Sequence, residues 1–255
     1  MTARLCLFAI QGIPLIEPGD DLGQIIVERA AAQGDPLRDR DVVVVAQKIV
    51  SKAEGRVVDV RTVTPSPRAL ALAAETGKDP RLVEIVLAES RRVVRHRPNL
   101  MILEHRLGHV MANAGVDHSN VSAEGGDDHV LLLPLDPDAA AAALRRDLER
   151  ALGKRLAVIV SDSFGRPWRR GTVGVAIGAA GLPALIDWRG HPDLFGRPLL
   201  VTETGFADEI AAAAALVMGQ ADEARPMALV RGLDWSAPDL PAAALVRPPE
   251  HDLFR

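Results

Sequence analysis

The chain has 255 residues, 48% hydrophobic and 25% charged, with a formal net charge of -4. That length buries a sizeable core in one large domain or two small ones, and the balance is that of an ordinary soluble enzyme. A net negative charge gives no long-range attraction for nucleic acid or anionic lipid, so any polyanionic ligand has to be held by a local basic cluster.

The single cysteine, Cys6, excludes an intramolecular disulfide, and no Cys/His spacing suggests structural zinc. The opening MTARLCLFAIQGIPLIEPGDD has a short apolar run broken by Gly12, Pro14 and Glu17, with no small-residue cleavage site after it. No apolar stretch is long enough to span a bilayer. The sequence is therefore expected to work in the cytoplasm, away from membranes.

In chain order, DDLGQIIVERAAAQG places apolar residues at helical spacing and closes on Gly34, which predicts an amphipathic helix. DVVVVAQKIVSKAEG begins as a continuous β-branched run, suiting a strand buried on both faces, and then becomes a helix or turn carrying Lys48 and Lys52. These are two of only four lysines. Residues 65–92 predict two short helices, SPRALALAAETG and DPRLVEIVLAESRR. NLMILEHRLGHVMANAGVDHSNV reads as strands with a hairpin turn at Gly108.

DPDAAAAALRRDLERALG predicts a helix capped by Asp136, with Pro137 in its first turn and Gly153 at its end. RLAVIVSDS is a buried strand, DWRGHPDLFGRPLLVTETG a loop leading to a strand, and ADEIAAAAALVMGQADE a helix ending at Gly219. The proline-rich SAPDLPAAALVRPPEHDLFR is expected to pack as an extended tail. Strands and helices interleave, so the fold class is mixed α/β. No G-x-G-x-x-G or G-x-x-x-x-G-K-[ST] occurs, which argues against a Rossmann or P-loop fold.

Asp162 falls just beyond the expected carboxyl end of a buried strand, where open α/β sheets hold ligands. ANAGVDHSN supplies Asn113, Asp117, His118, Ser119 and Asn120 directly after another strand. Two carboxylates with a hydroxyl such as Ser163 suit a hard cation, magnesium or manganese, better than zinc. The plainer alternative is that each Asp caps a turn. Arg166, Arg169 and Arg170 can grip phosphate or carboxylate through bidentate hydrogen bonds. The alternative is a solvated loop, against which Pro167 and the Trp168 indole give that loop a reason to pack down.

Lys48 and Lys52 stand at i and i+4, which suits either the phosphates of a nucleotide or an exposed helical face. Gly171, Gly174, Gly178 and Gly181 suit close packing of elements or backbone N–H groups near an anion. His105 and His109 have helical metal spacing, but Gly108 between them favours a turn and a structural role. Ser51, Ser119, Ser161 and Cys6 lack activating motifs, which disfavours a covalent hydrolase.

Five stretches, VVVVAQKIVSKAEGR, MANAGVDHSNV, VIVSDSFGRPWRRGTVGVAIG, DWRGHPDLFGRPL and LVMGQADE, together resemble the coenzyme F(420)-0:L-glutamate ligase family. These are the γ-glutamyl ligases of deazaflavin coenzyme biosynthesis. The resemblance runs in the family's order from about Gly12 to Gly232. It implies a distinctive mixed α/β ligase domain over residues 1–255, with a division into two subdomains left open, and an intertwined homodimer. The chain stops at Arg255, so the nitroreductase-like second domain of some relatives is expected to be absent and the number of glutamates added is left open.

By the same resemblance, GTP-dependent transfer of L-glutamate to the lactyl-phosphate carboxylate of a deazaflavin precursor is the expected reaction. Asp117, Asp162, Ser163 and Gln220 are the implied ligands of Mg2+ or Mn2+, two per site, with K+ as a further candidate. Ile13, Pro14, Leu15, Ile16, Gln47, Lys48, Lys52 and Asn120 are the implied nucleotide contacts. Asp117, Asp162, Arg166 and Arg169 are the catalytic candidates. Their chemistry fits the need to activate a carboxylate as an acyl phosphate, which gathers negative charge that cations must offset. Asp187, Asp193 and Glu203 are unranked candidates for accepting the amine proton. A metal-dependent phosphohydrolase and a non-catalytic nucleotide-binding regulator are the rival readings.

Overall fold

The computed structural model describes residues 4–121 and 128–253. Within them the chain forms β1 (Cys6–Ala9), α1 (Leu22–Ala32), β2 (Val42–Ala46), α2 (Gln47–Ala53), β3 (Val57–Asp59), α3 (Pro67–Thr76), α4 (Pro80–Ala88), β4 (Ser90–Arg97), β5 (Leu100–His105) and β6 (Val110–Ala112). There follow β7 (His129–Leu131), α5 (Pro137–Leu152), β8 (Ala157–Arg166), β9 (Arg169–Ala180), β10 (Ile186–Asp187), β11 (Glu203–Thr204), α6 (Phe206–Met218) and β12 (Met227–Arg231). The class is mixed α/β. No helix among the described residues is long and apolar enough to cross a membrane.

The chain divides into two compact units. One comprises Met1–Ile16, Asp20–Val50 and Asp136–Leu245, and the other Glu17–Gly19, Ser51–Leu135 and Val246–Arg255.

The first unit is built on a five-stranded sheet in the order β1-β12-β2-β8-β9. β2 and β8 run parallel and the other neighbours antiparallel. Val42, Val43, Val44 and Val45 are all fully buried, as a strand covered on both faces requires. α5 starts at Pro137 behind the Asp136 cap, whose carboxylate accepts from Ala139 N, and ends at a left-handed Gly153.

Both α5 and α6 pack on β9, and two of the four spaced glycines make this possible. A Cβ on Gly178 would run into the Pro137 carbonyl of α5, and one on Gly174 would come within 2.5 Å of the Ala211 carbonyl of α6. Of the two uses open to these glycines in the sequence, close packing is the one seen at Gly174 and Gly178. β9 is an edge strand, and first-turn carboxylates of the helices occupy its outward N–H groups. Ala176 N donates to Asp208 Oδ1 and Ala179 N to Asp138 Oδ1, each at 2.8 Å.

The second unit packs α3 and α4 with the β4-β5-β6 sheet and the β3-β7 ribbon around Val60, Ala69, Val83, Val86, Met101 and Leu103. Ser66 and Asp79 cap the two helices through Ala69 N and Arg81 N. The Gly108 hairpin joins β5 to β6, with Gly108 at φ +93°.

Helix α4 is shorter than its sequence suggests. It stops at Ala88, and Ser90–Arg97 becomes β4 because those residues pair antiparallel with β5. The loop expected at 187–205 is an irregular hairpin closed by the short β10-β11 pair. The proline-rich tail is not simply extended: it turns through 3-10 segments at Ala242–Leu245 and Pro249–His251, and Ala242 is fully buried.

Candidate active site

In the first unit, the parallel β2-β8 ladder ends at the pair Ala46 and Ser161. β2 passes directly into α2, beginning with the buried Gln47 and the half-buried Lys48. Strand β8 does not stop there. It runs on to Arg166, paired only with β9, so Asp162 lies within a strand rather than in the loop after one. The chemical position is nevertheless an end, since Asp162 is the first β8 residue without a β2 neighbour and burial declines from it onward. The extension was hidden because Ser-Asp-Ser-Phe-Gly-Arg lacks a β-branched run and owes its form to cross-strand pairing.

A register shift in the β8-β9 pairing sits just ahead of Asp162. Val160 faces Gly178 and Ser161 faces Ala176, so Ile177 is an extra residue on β9. Bulges of this kind re-aim the side chains that follow and recur beside active sites. Asp162 Oδ1 accepts from Ser163 N at 2.8 Å.

The hairpin arm closes at Arg166 opposite Arg169, with Pro167 and Trp168 as its tip. Arg166, Arg169 and Arg170 are exposed. Trp168 is 81% exposed at φ +57°, so the expectation that the indole packs the loop down is corrected. A tight turn at the end of a two-stranded arm has no sheet beneath it.

Ile13, Pro14, Leu15 and Ile16 leave β1 through Gly12 at φ +68°. Ile16 is buried while Pro14 and Leu15 are exposed. Gln220 is exposed directly after Gly219, where α6 ends at φ +82°. Glu223 stiffens that turn by accepting from Ala221 N at 2.8 Å. Arg225 has no counterpart among the sequence candidates, yet its Nε is buried without a hydrogen-bond partner among the described residues.

Among the candidates for accepting a proton, Asp187 is poorly suited. Hydrogen bonds from Arg189, led by its side chain at 2.6 and 2.8 Å, hold the carboxyl down to about 2. Asp193 Oδ1 accepts from Phe195 N and Arg197 N, organising its own turn. Glu203 lies 3.4 Å from Arg189 Nη2.

Lys52, Asp117 and Asn120 belong to the second unit. Lys52 is half-buried, as is Lys48, so neither occupies a fully exposed helical face. Asp117 follows β6 and a turn in which Asn113, Ala114 and Gly115 all take positive φ, at 50°, 49° and 72°. Gly115 is needed there, because a Cβ would come within 2.8 Å of Leu133. Asp117 exchanges backbone hydrogen bonds with Leu131, and its Oδ1 accepts from Ser119 N at 2.7 Å. Asn120 is exposed at φ +57°. Asn113, a polar loop residue without an assigned role in the sequence, has a buried Oδ1 with no partner among the described residues.

The donor chemistry can be weighed against a divalent cation. The described residues contain no group of three or more His, Cys, Asp or Glu side chains placed to hold a metal by themselves. In the first unit Asp162, Ser163 and Gln220, and in the second unit Asp117 and the Asn113 oxygen, offer oxygen donors only, the donor chemistry that hard cations take.

Residues 12–232 match the family model described as F420-0:Gamma-glutamyl ligase. The chain is 46% identical over 253 residues to the coenzyme F420:L-glutamate ligase of Methanothermobacter thermautotrophicus, covering 98% of this chain and 99% of that protein. It is 46% identical over 256 residues to the protein of the same description from Methanopyrus kandleri, covering 96% and 97%. For that of Archaeoglobus fulgidus the identity is 45% over 231 residues, covering 91% and 89%. The class so defined is that of enzymes that join glutamate to an acceptor. The chain belongs to the F420-0:gamma-glutamyl ligase family.

Proposed function

We propose that this protein uses GTP to join L-glutamate to the lactyl-phosphate carboxylate of coenzyme F420-0, through an acyl phosphate. The observation that carries the reading is the end-to-end match to coenzyme F420:L-glutamate ligases, which spans every candidate site residue.

A carboxylate cannot lose oxide, so amide formation has to begin with its phosphorylation. The acceptor carboxylate oxygen attacks the γ-phosphorus of GTP and GDP leaves. The glutamate nitrogen then attacks the acyl carbon, phosphate departs, and the amine gives up a proton. Ile13–Ile16, Gln47 and Asn120 bind and orient the nucleotide, and Lys48 and Lys52 bind its phosphates. Arg166 and Arg169 hold the precursor's phosphate or carboxylate.

Asp162, with Ser163 and Gln220, would hold Mg2+ or Mn2+, two ions per site, and Asp117 has the same role in the second unit; K+ is a further candidate. Such cations supply charge neutralisation at the transferring phosphoryl group. The protein acts in the cytoplasm as a homodimer. Exposed Leu194, Phe195, Leu200 and Val201 on the β10-β11 hairpin support an apolar contact between copies. Glutamate-dependent release of phosphate tests the reading: a phosphohydrolase would release it without glutamate, and a binding protein would release none.

A further inference from the structure

We propose that the cavity between α3 and β4 in the second unit binds a small organic anion carrying phosphate or carboxylate groups on an apolar body. The cavity has a volume of about 520 Å³ and is lined by Arg68, Leu72, Val93, Val94, Arg95 and His96 among others. That volume lies in the range of small-molecule sites. None of the residues assigned to glutamate ligation lines it.

Three features point to an anion. The Arg68 and Arg95 guanidiniums make no ion pair or hydrogen bond among the described residues, whereas Arg91, Arg92 and His96 of β4 lie beside carboxylates. Arg92 Nε lies 2.8 Å from Glu104 Oε2, Arg91 lies 3.6 Å from the same carboxylate, and His96 Nε2 lies 3.6 Å from Glu75 Oε2. Glu75 lies beside His96 and pairs with neither Arg68 nor Arg95, which leaves these two guanidiniums for a ligand.

The second feature is a bulge. Val93 faces Leu103 and Arg95 faces Ile102, so Val94 is an extra residue. A regular strand alternates its side chains between two faces, yet here the consecutive residues 93–96 all line one cavity. The third is apolar lining, supplied by the half-buried Leu72, Val93 and Val94. β4 is the edge of its sheet, and a bulged basic edge also deters strand pairing. That role explains the charge but not a cavity that four successive residues line.

The test is a titration of the full-length protein with phenyl phosphate, phthalate or inorganic phosphate, followed by backbone amide NMR at constant ionic strength. At least one organic anion should give saturable shifts at residues 68–72 and 93–96, with a Kd on the order of 1 mM or tighter. The stronger of phenyl phosphate and phthalate identifies the headgroup, and inorganic phosphate should bind several-fold more weakly than the better organic anion. The exposed pair Arg68→Ala/Arg95→Ala should keep the rest of the spectrum while weakening binding about tenfold or more. Arg68→Lys/Arg95→Lys should fall between the two. Shifts no larger than those with sodium chloride, or equal affinity in the double alanine variant, would overturn the proposal. The readout is independent of glutamate ligation, so a failure of that reaction leaves it standing.

Discussion

Ser161 of β8 faces Ala46 of β2 in the last rung of the parallel ladder, so Gln47 and Asp162 leave the same end of the first unit's sheet. Carboxyl ends of parallel strands are where α/β sheets commonly place ligands. One residue proposed to contact nucleotide and one proposed to hold cation are therefore neighbours through sheet register, although 115 positions separate them in the chain.

Asp162→Asn and Asp117→Asn should each lower glutamate ligation by at least about 100-fold, beyond the loss typical when a group that only orients a metal ligand is changed. Asparagine keeps the Oδ1 acceptor used by Ser163 N or Ser119 N and removes only the charge. Thermal unfolding should therefore shift by less than about 1 kcal/mol in stability. Near-normal turnover at saturating magnesium and manganese would remove these residues from the site.

Lys48→Ala and Lys52→Ala should each weaken GTP binding by about tenfold to a hundredfold, the loss of one charge-assisted contact worth roughly 1.5–3 kcal/mol. Calorimetric titration reads this directly. Unchanged affinity in both variants would assign the lysines to the helix surface alone.

Asp41 and Arg231 form a bidentate pair at 2.8 and 2.7 Å, with Asp41 only 1% exposed. Arg231→Met should destabilise the protein by about 3–5 kcal/mol, because it leaves a buried carboxylate without its counter-charge, held only by the Arg38 N–H. The double change to Met at 231 and Leu at 41 should recover much of that loss. Urea unfolding of the three proteins gives the comparison, and additive losses would contradict it.

Acid should destabilise the second unit in two stages. Burial, aided by the charge of His105, depresses His109 from 6.5 to about 4. The folded state therefore resists a proton that the unfolded chain accepts, and stability falls as pH drops from about 6.5 toward 4. Burial raises the Glu89 carboxyl, but the His105 hydrogen bond and the Arg56 and Arg106 charges outweigh it and hold the group at about 2. Its contribution is full above the usual carboxylate value near 4.3 and drains away as pH falls toward 2. His109→Gln should flatten the slope between pH 6.5 and 4.5 in urea midpoints while leaving the slope below pH 4.

Features set by neighbouring residues in the chain were legible in the sequence. Asp136, Pro137 and Gly153 bound α5 because capping and left-handed closure are local. The valine run of β2 and the turn at Gly108 follow the same logic. Features set by pairing across the chain were not. Ser90–Arg97 is a strand because β5 lies beside it, and Ser163–Arg166 is a strand because β9 does.

The candidate residues were recognisable by type and order, but their surroundings were not. Nothing in composition marks a unit boundary between Val50 and Ser51, inside the seven-residue α2, since the first unit is assembled from three separated segments. The orphaned oxygen of Asn113 and the orphaned nitrogen of Arg225 have no sequence signature, because burial without a partner is a tertiary property.

The most direct measurement is mass spectrometry of the purified protein incubated with coenzyme F420-0, GTP, L-glutamate and magnesium or manganese. A glutamate ligase should give a product heavier by one glutamyl residue, with further γ-linked additions read from the same spectrum. One GDP and one phosphate should form per addition, and glutamate without nucleotide should give nothing. Phosphate should not accumulate when glutamate or acceptor is withheld, because a closed site keeps water from the acyl phosphate. GDP and phosphate formed at the same rate without glutamate, and with no glutamylated product, would contradict the assignment.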